Sequence, residues 1–329
     1  MTRRTFLAAS AAFAAGAPPR TQMGVATTCF MTARRPKDTL EFLEHCHALG
    51  AGGIQAPLSS LEPAYVARLR QRLEELGMYF EAMLGLPRED PAVFERMASA
   101  AKEAGALALR TTAPGPRRYE AFETKEAWEA TAARARAGLR AAVPIAEKLR
   151  IPLAIENHRD WTLEEFLGLL KEHSSEFVGV CLDTGNNIAL LDDPMEVVEQ
   201  LAPYAVSTHI KDMGVEEYEE GFHLVELPLG EGALDVAGMV RTIRRARPAV
   251  KLTLEMITRD PTPVPCLTER YWAAMPPRDA RDLARALSWV RRNQQKLPRP
   301  AALGAASLLR LEEDNVKQCL HYARERLEV

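Results

Sequence analysis

Short apolar runs alternate along the chain with longer amphipathic stretches. MGVATTCF from Met23, GGIQAP, MYFEAMLGLP, ALALRTTAP, IPLAIEN, FVGVCLDTGN, AVSTHIKD and VKLTLEMI each read as a strand. The stretches between them read as helices. In LEFLEHCHALG, Leu40, Phe42, Leu43, Cys46 and Leu49 recur near helical spacing and Gly50 supplies the stop. LEPAYVARLRQRLEELG places Leu69, Leu73 and Leu76 on one side and ends at Gly77. DPAVFERMASAAKEAG starts on Asp90-Pro91 and ends at Gly105. Helical patterns also cover Phe122 to Leu149, DPMEVVEQLAPY, Leu234 to Arg247 and RDLARALSWVRRNQQ. In TLEEFLGLLKEH, Thr162 stands three residues before Glu165, the spacing of a capping box. After Leu297 the pattern changes to a linker, PRPAALGAA, and a last helix, SLLRLEEDNVKQCLHYARERL.

Strands separated by helices pair in parallel, because parallel neighbours need a long crossover. Eight such units predict an α/β fold, a single-domain (β/α)8 TIM barrel. A doubly wound open sheet would carry G-x-G-x-x-G after its first strand, and MGVATTCFMTA holds only Gly24. The expected organisation is a leader over residues 1–20, a barrel over 21–296 and a C-terminal helical extension over 297–329. The extension either packs on the barrel or meets a second copy of the chain, so a homo-oligomer stays open.

The leader is expected from MTRRTFLAASAAFAAGAPP. Arg3-Arg4 precede an apolar, alanine-rich run from Thr5 to Ala17, and the opening resembles a twin-arginine export signal. The expected location is therefore periplasmic or otherwise exported. Elsewhere the composition is that of an ordinary globular chain: 329 residues, 47% hydrophobic and 26% charged. With 42 basic and 45 acidic residues, bulk charge points to no nucleic-acid partner. No later apolar run reaches the length of a membrane span. Cys29, Cys46, Cys181, Cys266 and Cys319 are scattered without a C-x-x-C, which excludes a zinc ribbon or thioredoxin-like motif. Cys181 reads as a small core residue.

Barrel chemistry sits at the C-terminal ends of the strands. There the fifth strand delivers Glu156, the sixth Asp183, the seventh His209 and the eighth Glu255. Three carboxylates brought together repel one another, and a divalent cation removes that repulsion. Three oxygen donors and one imidazole suit Mn2+ first, with Mg2+, Co2+ and Zn2+ also compatible. Each residue alone has a plainer explanation, a turn or a core hydrogen bond; their conjunction on four successive strands is what points to a metal.

The motifs IENH, CLDTGN, THIKD, LPLGEGALD and LTLEM resemble those of the xylose isomerase-like barrel superfamily, the sugar phosphate isomerase/epimerase group. The resemblance runs from about Gly24 to Gln295. It implies one divalent metal held by Glu156, Asp183, His209 and Glu255. It also implies that Glu156 and Glu255 exchange a proton at the substrate carbon through a metal-stabilised enediolate, as in the ketose 3-epimerases. Lys211 is the candidate stabiliser of the enediolate oxygen. In that branch a histidine usually follows the metal aspartate by three residues; here Asn186 stands in its place. An arginine expected before the glycine-rich segment is absent, and His223 stands near it. Asn186, His223 and His158 are the candidate substrate contacts, with Trp161 beside His158 within reach of a sugar.

The expected function is a metal-dependent sugar isomerase or epimerase acting on a small sugar or sugar derivative. The alternative is an exported lyase or hydrolase on 3-keto-glycosides that uses the same metal. An endonuclease IV-like repair enzyme needs a histidine-rich trinuclear zinc cluster, and this chain has seven histidines in all. A non-catalytic sugar-binding protein has no evident use for both glutamates.

Overall fold

The computed structural model describes residues 19–33 and 35–329. The twin-arginine stretch lies outside the described residues. In chain order the strands are β1 (Gly24–Ala26), β2 (Gly53–Ala56), β3 (Tyr79–Met83), β4 (Ala106–Thr111), β5 (Leu153–Glu156), β6 (Val178–Asp183), β7 (Ala205–His209), β8 (Asp212–Tyr218), β9 (Gly221–Leu227), β10 (Thr253–Leu254) and β11 (Thr262–Val264). The helices are α1 (Thr39–Ala48), α2 (Pro63–Leu76), α3 (Pro91–Glu103), α4 (Arg118–Ala121), α5 (Lys125–Leu149), α6 (Leu163–Glu172), α7 (Pro194–Leu201), α8 (Val236–Ala246), α9 (Glu269–Trp272), α10 (Ala280–Asn293) and α11 (Ala305–Arg326).

Among the described residues, eight parallel strands join in the order β10-β1-β2-β3-β4-β5-β6-β7. Bonds from Ile210 N to Thr253 O (2.8 Å) and from Glu255 N to Ile210 O (3.1 Å) bring the two ends together. The eight apolar runs read from the sequence are these staves, and the (β/α)8 barrel is confirmed. Helix starts follow the chemistry of their first residues. The Thr162 side chain caps the Glu165 amide, and Glu165 reaches back to the Thr162 N–H, so the capping box is complete.

Strand alternation sends every second side chain to the barrel axis. Register places Gly24, Gly53 and Tyr79 side by side at the lower end. The Tyr79 ring needs that space, since a Cβ on Gly53 would come within 2.3 Å of it. Higher on the axis come Gln55, Glu81 and Ser207, and at the upper end Arg110, Glu156, Asp183, His209 and Glu255. Apolar side chains on the opposite strand faces bury against the helices in one continuous core.

Two elements depart from the one-strand, one-helix rhythm. Between β7 and α8 the chain inserts the hairpin β8-β9, and β11 adds antiparallel to β9 to make a separate three-stranded sheet. Asp212 anchors the return of this hairpin. Its buried carboxylate accepts from the amides of Met213, Gly230, Gly232 and Leu234 at 2.8–3.0 Å. The sequence pattern alone makes α10 the eighth barrel helix, yet it lies against the small sheet, with Gln295 N bonded to Val215 O at 2.9 Å. α11 packs against the turn at Thr27–Phe30 that follows β1. Glu312 accepts from the Thr32 amide at 2.9 Å, Asn315 bonds Thr258 at 2.9 Å, Arg244 of α8 bonds Leu327 O at 3.2 Å, and Thr21 bonds the Val329 carbonyl at 2.5 Å. Val316, Cys319, Leu320 and Ala323 of α11 are buried in the common core. An amphipathic pattern shows that a helix has a face to bury, not which surface receives it.

Among the described residues no helix is long and apolar enough to cross a membrane. All five cysteines are buried and free.

Candidate metal centre

β5, β6, β7 and the end of β10 are neighbouring staves, so their last inward residues meet on the axis. One donor atom from each of Glu156, Asp183, His209 and Glu255 falls within a set whose members all lie within 4.8 Å of one another. Bonds of about 2.1 Å to a shared ion place donors about 3–4 Å apart, close to the spacing of this set. His209 Nδ1 stands 3.4 Å from Glu156 Oε1, 3.4 Å from Glu255 Oε1 and 3.7 Å from Asp183 Oδ2. All four residues are buried, and that Nδ1 makes no hydrogen bond to any described residue. A buried imidazole nitrogen without a partner, ringed by carboxylate oxygens, is what a dication would satisfy.

The tautomer is fixed from below. His209 Nε2 lies 2.6 Å from Gln55 Oε1. Gln55 Nε2 donates to Glu81 Oε2 at 2.9 Å and to Ser207 Oγ at 3.2 Å, so its oxygen is left to accept from His209. A proton therefore sits on Nε2, and in the neutral ring that a metal would require the lone pair on Nδ1 points into the cluster. Burial pushes the Glu81 carboxyl above its ordinary value, against the pull of its bonds from Gln55 and Ser207.

Charges surround the cluster. Asp183 Oδ1 accepts the Gly185 and Asn186 amides, both at 2.8 Å, at the turn that follows β6. Lys211 Nζ lies 2.8 Å from Asp183 Oδ2, touches Glu255 Oε2, and stands 4.0 Å from Glu226 Oε1. Arg110 from β4 pairs with Glu156 Oε2, while Asn186 Nδ2 donates to Glu156 Oε1 at 3.1 Å. Thr28 donates to Glu255 Oε1 at 3.0 Å. Burial and the Glu255 charge push Asp183 up, against the pull of Lys211. Burial also pushes Glu255 up, but His209 and Lys211 outweigh it and hold it well below the carboxylate range. Carboxylates pulled in opposite directions within one buried cluster are the mark of mutual repulsion. Burial pulls Lys211 down, yet Asp183, Glu255 and Glu226 hold it above its ordinary value, so it stays a cation.

The sequence-derived ligands are thus together, and Lys211 and Asn186 touch them. His158 lies among the same charges. Burial, with Arg110 and Arg159, holds its imidazole well below its ordinary value, so it is a neutral group. His223 is not brought to the site. On β9 the side chain of Glu226 faces the cluster, and His223, at odd spacing from it, projects from the other face of the small sheet and stacks on Tyr218 at 4.5 Å. Trp161 packs against Trp128 at 4.9 Å and under Arg136, in the helical layer. Sequence reasoning missed Arg110, Gln55, Glu81, Arg159 and Glu226. The signal available was a lone charge in an apolar strand, as in ALALRT and YFEAM.

A family model described as xylose isomerase-like TIM barrel matches residues 43–292. A 3-oxo-isoapionate decarboxylase from Pectobacterium atrosepticum is 30% identical over 215 residues, 64% of this chain and 74% of the relative. The solved structure of a D-psicose 3-epimerase in the presence of D-fructose superposes with a TM-score of 0.62 at 17% identity, covering 94% of this chain and 100% of that one. A xylose isomerase-like TIM barrel protein from Mycobacterium smegmatis in complex with magnesium gives a TM-score of 0.55 at 18% identity, over 80% and 97% of the two chains. These two likenesses are of fold.

Proposed function

The chain belongs to the xylose isomerase-like TIM barrel family, and from that premise we propose that it is a divalent-metal-dependent enzyme that moves a proton beside the carbonyl of a sugar-derived substrate, an isomerase or epimerase in reaction type. The observation that carries this reading is His209 Nδ1, buried without a hydrogen bond and facing three carboxylates. Glu156, Asp183, His209 and Glu255 would hold the ion. Mn2+ is our first choice, and the donors also fit Mg2+, Co2+ or Zn2+. When bound, such an ion supplies Lewis acidity to a carbonyl and its neighbouring hydroxyl.

The remaining work falls to side chains. Glu156 and Glu255 come from staves separated by β6 and β7, so their carboxylates approach a substrate from different sides. One takes the proton, and the other returns one to the opposite face, which inverts the carbon; return to the neighbouring carbon isomerises it. The Lys211 ammonium offers positive charge to the oxygen on which negative charge builds. Asn186 keeps Glu156 Oε1 turned inward.

The curated relative favours a second reading, loss of CO2 from a 3-oxo acid. There the bond to the carboxylate breaks, its electron pair passes to the carbonyl oxygen as an enolate, and a glutamic acid then protonates the carbon. Both readings are tested with Mn2+-loaded protein in D2O, given ketoses, 3-keto-glycosides and 3-oxo sugar acids. Deuterium on a carbon next to a carbonyl, seen by NMR with carbon skeleton intact, is the expected result. CO2 release selects the second reading. Neither change, with Mn2+ bound, overturns both.

Export is proposed on the twin-arginine stretch alone. Intact-mass measurement after expression with the native leader should show a product shortened by roughly 20 residues. A full-length product confined to the cytosol rejects it.

A further inference from the structure

The buried charges around the cluster do not balance once an ion is counted. Four carboxylates, Glu156, Asp183, Glu226 and Glu255, face four cations, Arg110, Arg159, Lys211 and Arg259. Glu81 lies a layer below, bonded to Gln55 and Ser207, and pairs with none of these cations. A dication therefore leaves two positive charges in excess, around carboxylates that are almost wholly buried. Buried charge without a counter-charge is costly, and among the described residues no further carboxylate pairs with these cations.

The excess is localised. Glu226 on β9 is the carboxylate nearest to three cations at once. Arg259 holds it with two bonds, at 3.0 and 2.5 Å. Arg159, on the loop after β5, comes second: its Nη2 lies 3.7 Å from Glu226 Oε1 and makes no well-formed hydrogen bond. Its Nη1 is fixed by Thr262 Oγ1 at 2.8 Å, which sets the guanidinium plane. The Arg159 side chain is 1% exposed, so solvent does not relieve it. The Tyr119 hydroxyl lies beside it and interacts with it, while Arg110 Nε and His158 Nδ1 are buried without a hydrogen bond among the described residues. Two buried guanidinium nitrogens without a well-formed hydrogen bond, Arg159 Nη2 and Arg110 Nε, fit a planar anion.

We propose that Arg159, backed by Arg259 and Lys211 around Glu226, forms an anion subsite beside the metal centre, and that the substrate is a sugar-derived carboxylate and not a neutral sugar. The inference rests on the metal-dependent reading above and holds for either of its reactions. It names a substrate class and a residue that selects it.

The test is a matched pair of probes, D-ribonate and ribitol, which differ by a carboxylate against a hydroxymethyl group. Binding is measured by calorimetry on Mn2+-loaded full-length protein, with bound Mn2+ read separately by EPR. Ribonate should bind at least about tenfold more tightly than ribitol, the scale of one hydrogen bond to a charged group. In Arg159→Gln that preference should fall below about threefold, with Mn2+ still bound. Equal binding of the two probes overturns the proposal. So does a preference that survives unchanged in Arg159→Gln, because the ion alone would then be recognising the acid. Should Arg159→Gln not fold, Arg259→Gln replaces it with the same two outcomes, since it removes one excess charge and frees Glu226 for Arg159. Absence of bound Mn2+ in the wild type sinks the metal reading and this inference with it; bound Mn2+ with no discrimination sinks this inference alone.

Discussion

Glu156→Gln and Glu255→Gln are each expected to lower turnover by about 10²–10⁴-fold, the range for removing a positioned acid or base. Glutamine keeps the shape of the side chain and one oxygen, so it can stay on the axis. It cannot accept a proton. Each glutamate also belongs to the candidate ligand set, so the variants lose a negative donor, and weaker metal binding alone would reduce activity. The two effects separate by titration. At saturating Mn2+, confirmed by EPR, a ligand defect is repaired and a missing base is not. Turnover that returns to the wild-type value in both variants at full occupancy would remove the proton-transfer role while leaving the metal site intact. In each variant the glutamine oxygen can keep the bond made by the second carboxylate oxygen, to Arg110 at position 156 and to Lys211 at position 255. Glu156 is held by Arg110 and Asn186, and Glu255 by Lys211 and Thr28.

The candidate ligands were readable because a strand carries its own geometry. In LAIE, CLD, STH and TLE a charged or imidazole residue ends an apolar run, and period-two alternation assigns it to the axis. The partners of those ligands were not readable. Gln55 and His209 are 154 positions apart, and Arg110 and Glu156 are 46 apart. Their contact exists only because the barrel closes. Glu226 and His223 show a second limit. Both lie in the stretch before the glycine-rich turn, and a reading of that stretch as loop gives no parity; once it is strand β9, one residue faces the cluster and the other faces away. The placement of α10 depends on the added small sheet, which no repeat of strand and helix foretells, and α11 is placed by bonds to Thr32, Thr258 and Arg244, far from it in sequence.

Lys211→Met should show how the metal-free protein tolerates its own charges. Lys211 is 2% exposed and is the cation shared by Asp183, Glu255 and, at 4.0 Å, Glu226. Methionine fills similar volume, so the loss is charge and not packing. Removing one partner from a buried ionic group typically costs about 3–5 kcal/mol, more than any surface pair can return. Because Lys211 is held above its ordinary value, its contribution is fully present at neutral pH and is lost only as pH rises past about 10.4 toward the folded value. The apo variant should therefore melt well below the apo wild type at pH 7. Mn2+ then discriminates between explanations. For the wild type, metal at about 100 times its Kd adds about 2.7 kcal/mol. If the penalty comes from uncompensated carboxylates, the ion replaces the lost cation and the variant gains more than the wild type at the same saturation. Equal gains would mean that Lys211 acts through packing and not through charge, and an unchanged apo melting temperature would show that these carboxylates are not ionised together without a cation beside them.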